Sequence, residues 1–491
     1  MSRPAVFAAI DLGAESGRVL CGRLVDGRME LEEAHRFPNR PVRLPDGLRW
    51  NLLALFAEAL DGLRAASVEH TLRSVGVDAW GVDYALLDGR GHTLGIPFHY
   101  RDERTVGMVE RAHARVSREA MYRQTGIQTM PINTVFQLLA EGDERLAAAT
   151  RIALVPDLVA SWLSGVVANE ATAASTTGLL DARSGRWADA LIEDLGLPAR
   201  IFGELVEPGA TLGNLLAHHD LGGAPVCAVA GHDTASAFVA APLRDRSSAI
   251  LSSGTWSLLG LELEEPALDD DAQAFDLSNE RGVDGTTRLL RNVMGLWLLQ
   301  ECRRSLELTG SREYADLLLL AAAAGDDVPL FDPDDEDLLR PGDMPKRIAA
   351  ACVRAGQRAP ETTGELVRSI LVSLACKYRL VLERLERVSG RSIETVHVIG
   401  GGSRNALLCQ ITADVLGKLV LAGPVEATAL GNVLVQARAA GELASLDEMR
   451  AVAAASAELA TYEPREGAAG DEIYARFLQA TTSHAHERTK A

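Results

Sequence analysis

The feature that most restricts this chain is a device it uses twice: an apolar, β-prone run breaks at a short glycine turn and resumes as a second β-prone run. The first copy is Val6 to Asp11, then Asp11-Leu12-Gly13-Ala14, then Gly17 to Val25. Asp26-Gly27 favours a hairpin into a third strand, Met29 to Phe37, because both residues tolerate positive φ. The second copy opens at Ala249-Ile250, breaks at Ser252-Ser253-Gly254-Thr255 and continues through Leu258-Leu259, roughly 240 residues later. The repeat predicts two related domains; chance likeness of two hairpins is the rival reading. A chain of 491 residues is long enough for two large cores.

The flanking pattern specifies the layer type. Leu53, Phe56, Leu60 and Leu63 recur at helical spacing and lead into a buried strand, Ser74 to Trp80. A meander, a helix and a parallel strand make an α/β layer rather than a plain dinucleotide-binding repeat. Downstream the sequence predicts helices over Leu289–Arg304 and Glu361–Val388, a strand over Thr395–Ile399 and a helix over Arg404–Leu416. A strand over Lys418–Ala422 and a helix over Val425–Ala440 follow. Arg244-Asp245-Arg246 is the expected crossing, which divides the chain into domains 1–243 and 244–480 with a frayed polar tail at 481–491. Acidic Asp332 to Asp337 reads as a solvated loop.

Charge and cysteine usage narrow the partners. The net charge of −19 leaves no basic surplus to displace counterions, so neither a nucleic acid nor an anionic membrane is expected. No window reaches the run of about 18 apolar residues that a membrane helix needs. Met1 to Phe7 lacks the basic, apolar and small-residue order of a secretion signal. Cys21, Cys227, Cys302, Cys352, Cys376 and Cys409 stand singly, without metal-ligand spacing, and read as buried thiols of a cytoplasmic protein.

Four turns carry residue types suited to chemistry. In Asp11 to Arg18 small residues and glycines expose backbone N–H groups to an anion, and Asp11 ends a buried strand, placed to hold a hydrated Mg²⁺; an ordinary hairpin is the alternative. Gly254-Thr255 repeats the turn with a hydroxyl. Gly400-Gly401-Gly402-Ser403 joins a strand to a helix, so backbone can approach a ligand at the helix N-terminus; a flexible connection is the alternative. Gly231-His232-Asp233-Thr234 follows the apolar strand Pro225 to Ala230 and opens a helix. A carboxylate there can accept a proton from a hydroxyl nucleophile, or simply cap the helix.

Together these segments resemble the FGGY carbohydrate kinases over nearly the whole chain. The resemblance is carried by Asp11 to Arg18, Ala79-Trp80-Gly81-Val82-Asp83, Tyr100-Arg101-Asp102 with Arg104, and Gly231 to Ala237. Ser252 to Ser257, Asn292 to Gln300 and Ala422 to Ala427 continue it. It implies a two-domain actin/Hsp70/sugar-kinase (ribonuclease H-like) ATPase fold with an interdomain cleft that closes on the sugar. The flanking residues are nearest to members that phosphorylate L-rhamnulose at O1 from MgATP; another ketose or polyol is the alternative. Carried over by motif, Asp233 is the base, and Gly81, His232, Thr234 and Asn292 line the sugar pocket. Ala14, Glu15, Ser16, Gly17, Arg18, Thr255, Gln300 and Gly401 hold ATP, and Asp11 meets the metal through water. Glu15 departs from the small polar residue the family pattern leads one to expect beside phosphates. Trp80 either stacks on the deoxy sugar or fills the interdomain core. A filament-forming nucleotide switch and a catalytically silent sugar sensor are the readings from other classes; the presence of Asp233 argues against both. The implied partners are a small-molecule sugar and MgATP, acting on a monomer or a homodimer.

Overall fold

Asp26 and Gly27 both take positive φ, 49° and 75°, and the hairpin they close is the one expected. A computed structural model describes residues 5–243, 245–307, 313–467 and 469–488. The strands Ala5–Leu12, Ser16–Val25 and Arg28–Pro38 pair antiparallel in series, and Thr71–Ala79 lies parallel to the first. The helix Leu52–Glu69 connects them. It buries Leu52, Leu55, Ala59, Leu63 and Ala66, while Leu53 is 73% exposed, so the inward stripe is rotated from the expected one. Small Ala59 and Gly62 let this helix lie close on the sheet; a Cβ on Gly62 would sit 2.4 Å from Val19 Cγ2.

The chain falls into two units. The first comprises Met1–Pro242, Glu262–Leu290 and Glu426–Ala457, and the second Leu243–Leu261, Arg291–Val425 and Glu458–Ala491. The first division, after Pro242, lies beside the expected crossing, whose Arg244 is outside the described residues. Beyond it, residues 262–290 and 426–457 group with the first unit by contact. The final helix, Gly470–Arg488, also runs through Thr481 instead of fraying there.

Each unit has its own large sheet. The first orders Thr211–Asn214, Pro225–Cys227, Thr71–Ala79, Ala5–Leu12, Ser16–Val25 and Arg28–Pro38. In the second unit Ala460–Tyr462, Leu419–Ala422, Thr395–Ile399, Ser248–Ser253 and Trp256–Leu263 lie in that order. In both, the opening strand pairs antiparallel with the strand after its glycine turn and parallel with the strand on its other side. The next neighbour is again parallel and the one beyond it antiparallel. The repeat read from two glycine turns is therefore a repeat of topology.

Two expectations fail locally. Thr287–Met294 is a strand and the helix begins only at Trp297, because Leu289, Leu290, Val293 and Met294 are a buried apolar run that serves a central strand equally well. The Asp332–Asp337 segment is an ion-paired knot, not a solvated loop. Lys377 Nζ lies 2.7 Å from Asp332 and 3.0 Å from Asp334, and Asp335 is buried with Arg354 at 2.9 Å. The six cysteines are free and buried, as expected. Among the described residues no helix is long and apolar enough to cross a membrane.

Candidate active site

In the first unit three parallel segments end side by side, each with a carboxylate. Asp11 pairs in register with Asp78, and Ala79 bridges in parallel to His232, one residue before Asp233. Asp78 is fully buried; burial, then the negative charge of Asp11, lifts its pKa well above the carboxylate range, against the N–H donated by Asn432 Nδ2. Its Oδ1 has no hydrogen-bond partner. Asp233 opens the helix Asp233–Val239, with His232 as the cap residue. It is the open residue of an otherwise buried corner, its side chain 29% exposed against 8% for His232. Thr234 Oγ1 donates to Asp233 Oδ1 at 3.0 Å, and burial pushes the Asp233 carboxyl upward. The corner is anchored from behind by Glu170, whose Oε2 accepts the Gly231 N–H at 2.9 Å; a Cβ on Gly231 would meet that oxygen at the same distance.

The turn at Gly13–Ser16 is closed by Gly13 N–H donating to Ser16 O at 3.0 Å and latched by Asn39. Asn39 Nδ2 donates to Gly13 O and Asn39 N–H to Glu15 O, both at 2.9 Å. In a trans peptide the N–H points opposite to the C=O, so the amides of Ala14 and Ser16 face away from Asn39, toward any anion on the open side. Gly17 has a different reason: its Cβ would lie 2.2 Å from Phe37. Arg18 is committed to carboxylates, its Nε 2.9 Å from Asp11 Oδ2 and its Nη1 on Glu426.

A second buried carboxylate, Asp83, stands two residues after Gly81. Asp83 accepts from the indole N–H of Trp50 (2.5 Å) and Trp80 (3.0 Å), from Tyr100 N–H (3.2 Å) and from Gln137 Nε2 (2.8 Å). Burial nonetheless pushes its pKa up to about 6. Trp80 packs against Trp50 within the first unit, ring centroids 4.0 Å apart and tilted by 34°, in the wall of this corner. Between Trp80 and Asp83 the chain is strained: Val82 takes φ 68°, held by Thr134 Oγ1 donating to its carbonyl and Thr176 Oγ1 accepting its N–H. Such outliers persist where surroundings over-determine them. Gly81 lies against Thr176, 3.0 Å from an added Cβ.

The second unit supplies the remaining residues. Gly254 O and Thr255 O accept the N–H groups of Leu296 and Trp297, which ties the hairpin turn to the start of the helix Trp297–Glu307. One turn along that helix, Gln300 Oε1 is buried without a hydrogen-bond partner. In the Gly400-Gly401-Gly402 turn the three glycines do different work. Gly400 needs its φ of 81°, and Gly402 packs on Ser253, where a Cβ would come within 2.0 Å of Oγ. Gly401 faces open space, the one position of the three shaped for close approach by a ligand. Asn292 belongs to this unit by contact, whereas Gly81, His232, Asp233 and Thr234 belong to the first.

The family models for FGGY carbohydrate kinases match here, the N-terminal domain over residues 6–240 and the C-terminal domain over 249–440. The chain belongs to the FGGY family of carbohydrate kinases. Among curated members it is 43% identical over 479 residues to a rhamnulokinase of Bacteroides thetaiotaomicron, covering 96% of this chain and 98% of that one. It is 38% identical to the Bacillus subtilis rhamnulokinase, over 94% and 96% of the two chains. The fold is likewise that of solved sugar kinases. A ligand-bound xylulose kinase from Lactobacillus acidophilus matches with TM-score 0.78 at 14% identity, over 99% of this chain and 98% of that one. Plasmodium falciparum glycerol kinase with ADP matches with TM-score 0.77 at 14% identity, over 100% and 99%. The FGGY chain described here therefore has the two-domain, actin-like ATPase fold and is a sugar kinase that uses ATP.

Reading motifs alone passed over several residues of this FGGY site. Asp78 was legible as a lone acid inside the apolar run Ser74 to Trp80. Asn39, Glu170 and Asn432 carried no such signal, since their contacts are made only by the folded chain.

Proposed function

We propose that this kinase transfers the γ-phosphoryl group of ATP to O1 of L-rhamnulose, in L-rhamnose catabolism, with Asp233 as the base. One observation carries the chemical assignment: the Asp233 carboxylate is the partly open group of a buried strand-end corner. Its raised proton affinity suits it to take the hydroxyl proton as the oxygen attacks phosphorus. Thr234 orients that carboxylate and His232 flanks it, and Gly81 and Asn292 are the further proposed sugar contacts. The sugar itself is assigned by the likeness to rhamnulokinases along almost the full chain.

For the nucleotide, the Ala14 and Ser16 amides and the Gly401 backbone are the proposed phosphate contacts, with Thr255 and Gln300 in the second unit. Arg18 acts by holding Asp11 in place, and the Glu15 backbone by its bond to Asn39. A magnesium ion fits the charge of Asp11, which raises the proton affinity of both Asp78 and Asp233. Among the described residues the only acid/histidine trio close enough to clasp a bare ion is Glu32, Glu69 and His70, far from these in role, so Asp11 would hold a hydrated one. When bound, Mg²⁺ supplies charge neutralisation on the phosphates.

The test is Asp233→Asn. Turnover should fall by about 10³-fold or more while calorimetric ADP affinity stays within about two-fold. Unchanged turnover removes the base assignment. In a coupled ADP-release assay over ketoses and polyols, L-rhamnulose should give the highest kcat/KM, and a clear preference for another sugar refutes the substrate assignment.

A further inference from the structure

Behind the proposed base sits a buried charged pair, Glu280 and Arg288. Glu280 and Arg288 are cross-strand partners in the hairpin Ser278–Arg281 and Thr287–Met294, both on the segment that returns to the first unit. Arg288 is fully buried, and burial lowers its pKa; Glu280 is 4% exposed. Arg288 Nε donates to Arg281 O at 3.1 Å, and Nη1 is buried with no hydrogen-bond partner. A desolvated guanidinium with an idle nitrogen is costly for stability, so its retention asks for a reason beyond packing.

The reason is at His232. Arg288 Nη2 donates to His232 Nδ1 at 3.2 Å and lies 3.1 Å from Glu280 Oε2 as an ion pair. On the other side of the ring, His232 Nε2 faces Asp233 Oδ1 at 3.5 Å. We propose that Arg288, with Glu280 neutralising its charge, is a positioning residue that keeps His232 neutral with its proton on Nε2, directed at the Asp233 carboxylate. An arginine cannot surrender its proton, so Nδ1 must accept and the ring's single hydrogen is placed on Nε2. Glu280 Oε2 also lies 3.2 Å from Nδ1, and without Arg288 it would draw the proton to that nitrogen instead. The bare Nε2 lone pair would then face the Asp233 oxygens. The other groups around the ring fit this state. The His232 N–H donates to Thr172 Oγ1, Thr234 bonds the same Asp233 oxygen, and Glu170 is occupied by Thr172, Ala173 and Gly231. Asp11, on the neighbouring strand end, adds negative charge on the Asp233 side of the corner.

The experiment is ¹⁵N NMR of ring-labelled histidine in the full-length enzyme near pH 7.5, with the His232 signals identified by their loss in His232→Asn. The wild-type ring should be neutral with Nε2 protonated; a ring protonated at Nδ1, or at both nitrogens, overturns the proposal. In Arg288→Met the proton should move to Nδ1 or a second one should bind, and kcat should fall roughly ten-fold or more with sugar KM within about three-fold. Arg288→Lys should restore the Nε2 proton and most of kcat. An Arg288→Met ring unchanged from wild type overturns the proposal. Should that variant not fold, Glu280→Gln/Arg288→Met removes both charges together and should give a mixed tautomer, and a ring still fixed at Nε2 again overturns it. The kcat arm rests on Asp233 being the base, whereas the ring spectrum does not, so failure of either assignment is distinguishable.

Discussion

Asp83→Asn tests the balance of forces at the buried hub beside the proposed sugar site. Four donors converge on the Asp83 carboxylate, yet burial outweighs them and its pKa stands at about 6 against an ordinary 3.8. The folded state therefore favours the protonated form. Its contribution to stability is fully present below pH of about 4 and is lost as pH rises through about 6. At about 1.4 kcal/mol per pH unit, that rise corresponds to about 3 kcal/mol. Asparagine does not titrate, so the stability difference between wild type and Asp83→Asn should fall by about 3 kcal/mol between pH 4 and pH 7. The variant carries a pH-independent cost of its own. Its amide NH₂ must face either the indoles or Gln137 Nε2, and Gln137 is held by Val82 O, Ile132 O and Arg104, a donor clash worth about 1–3 kcal/mol. Because Trp50 and Trp80 donate directly to Asp83, tryptophan fluorescence reports the titration, and urea unfolding followed at several pH values reports the stability. Wild type should show a fluorescence transition near pH 6 that the variant lacks, with the rhamnulose KM changing over the same range. The same transition in Asp83→Asn, or a stability difference independent of pH, would refute the claim that burial dominates at this site.

Other expectations follow from single contacts. Gly401→Ala should leave the melting temperature within about 2 °C but raise the ATP KM, whereas Gly402→Ala, whose Cβ meets Ser253 at 2.0 Å, should lower stability by about 1–3 kcal/mol in thermal melts. Asn39→Ala removes the side-chain bond to Gly13 O, while the backbone N–H still donates to Glu15 O, and should raise the ATP KM about ten-fold with the sugar KM unchanged; equal effects on both would refute the latch. Lys377→Met leaves Asp332 and Asp334 facing each other without their shared cation, and denaturant unfolding should register a loss of about 2–3 kcal/mol at neutral pH that shrinks as pH falls below about 4.

Much of the architecture was legible in residue order. Glycine turns between apolar runs, the Asp26-Gly27 hairpin and the strand–turn–helix at Gly400 to Leu416 are local choices, governed by φ preference and by which face a side chain presents. They are written within a few residues of one another, so the repeat and the glycine turns proposed to hold phosphate could be read directly, as could the base candidate Asp233. At Leu289 to Met294 strand and helix could not be told apart, because the apolar pairs Leu289-Leu290 and Val293-Met294 recur four residues apart, a spacing that fits a helix, and the segment is nevertheless a strand. Nor could the helix face at Leu53 be aimed correctly, since the sheet it meets decides which stripe is inward.

What only the folded chain decided is the company each polar group keeps. Asn432 reaches Asp78 across 354 residues, Glu426 reaches Arg18 across 408, and Glu280 with Arg288 comes to stand behind His232. Residues 262–290 and 426–457 return to the first unit for the same reason. Local sequence determines backbone conformation through short-range sterics. Proton affinities and ion pairs depend on desolvation and on charges within a few ångströms, and those distances exist only once distant segments have packed together.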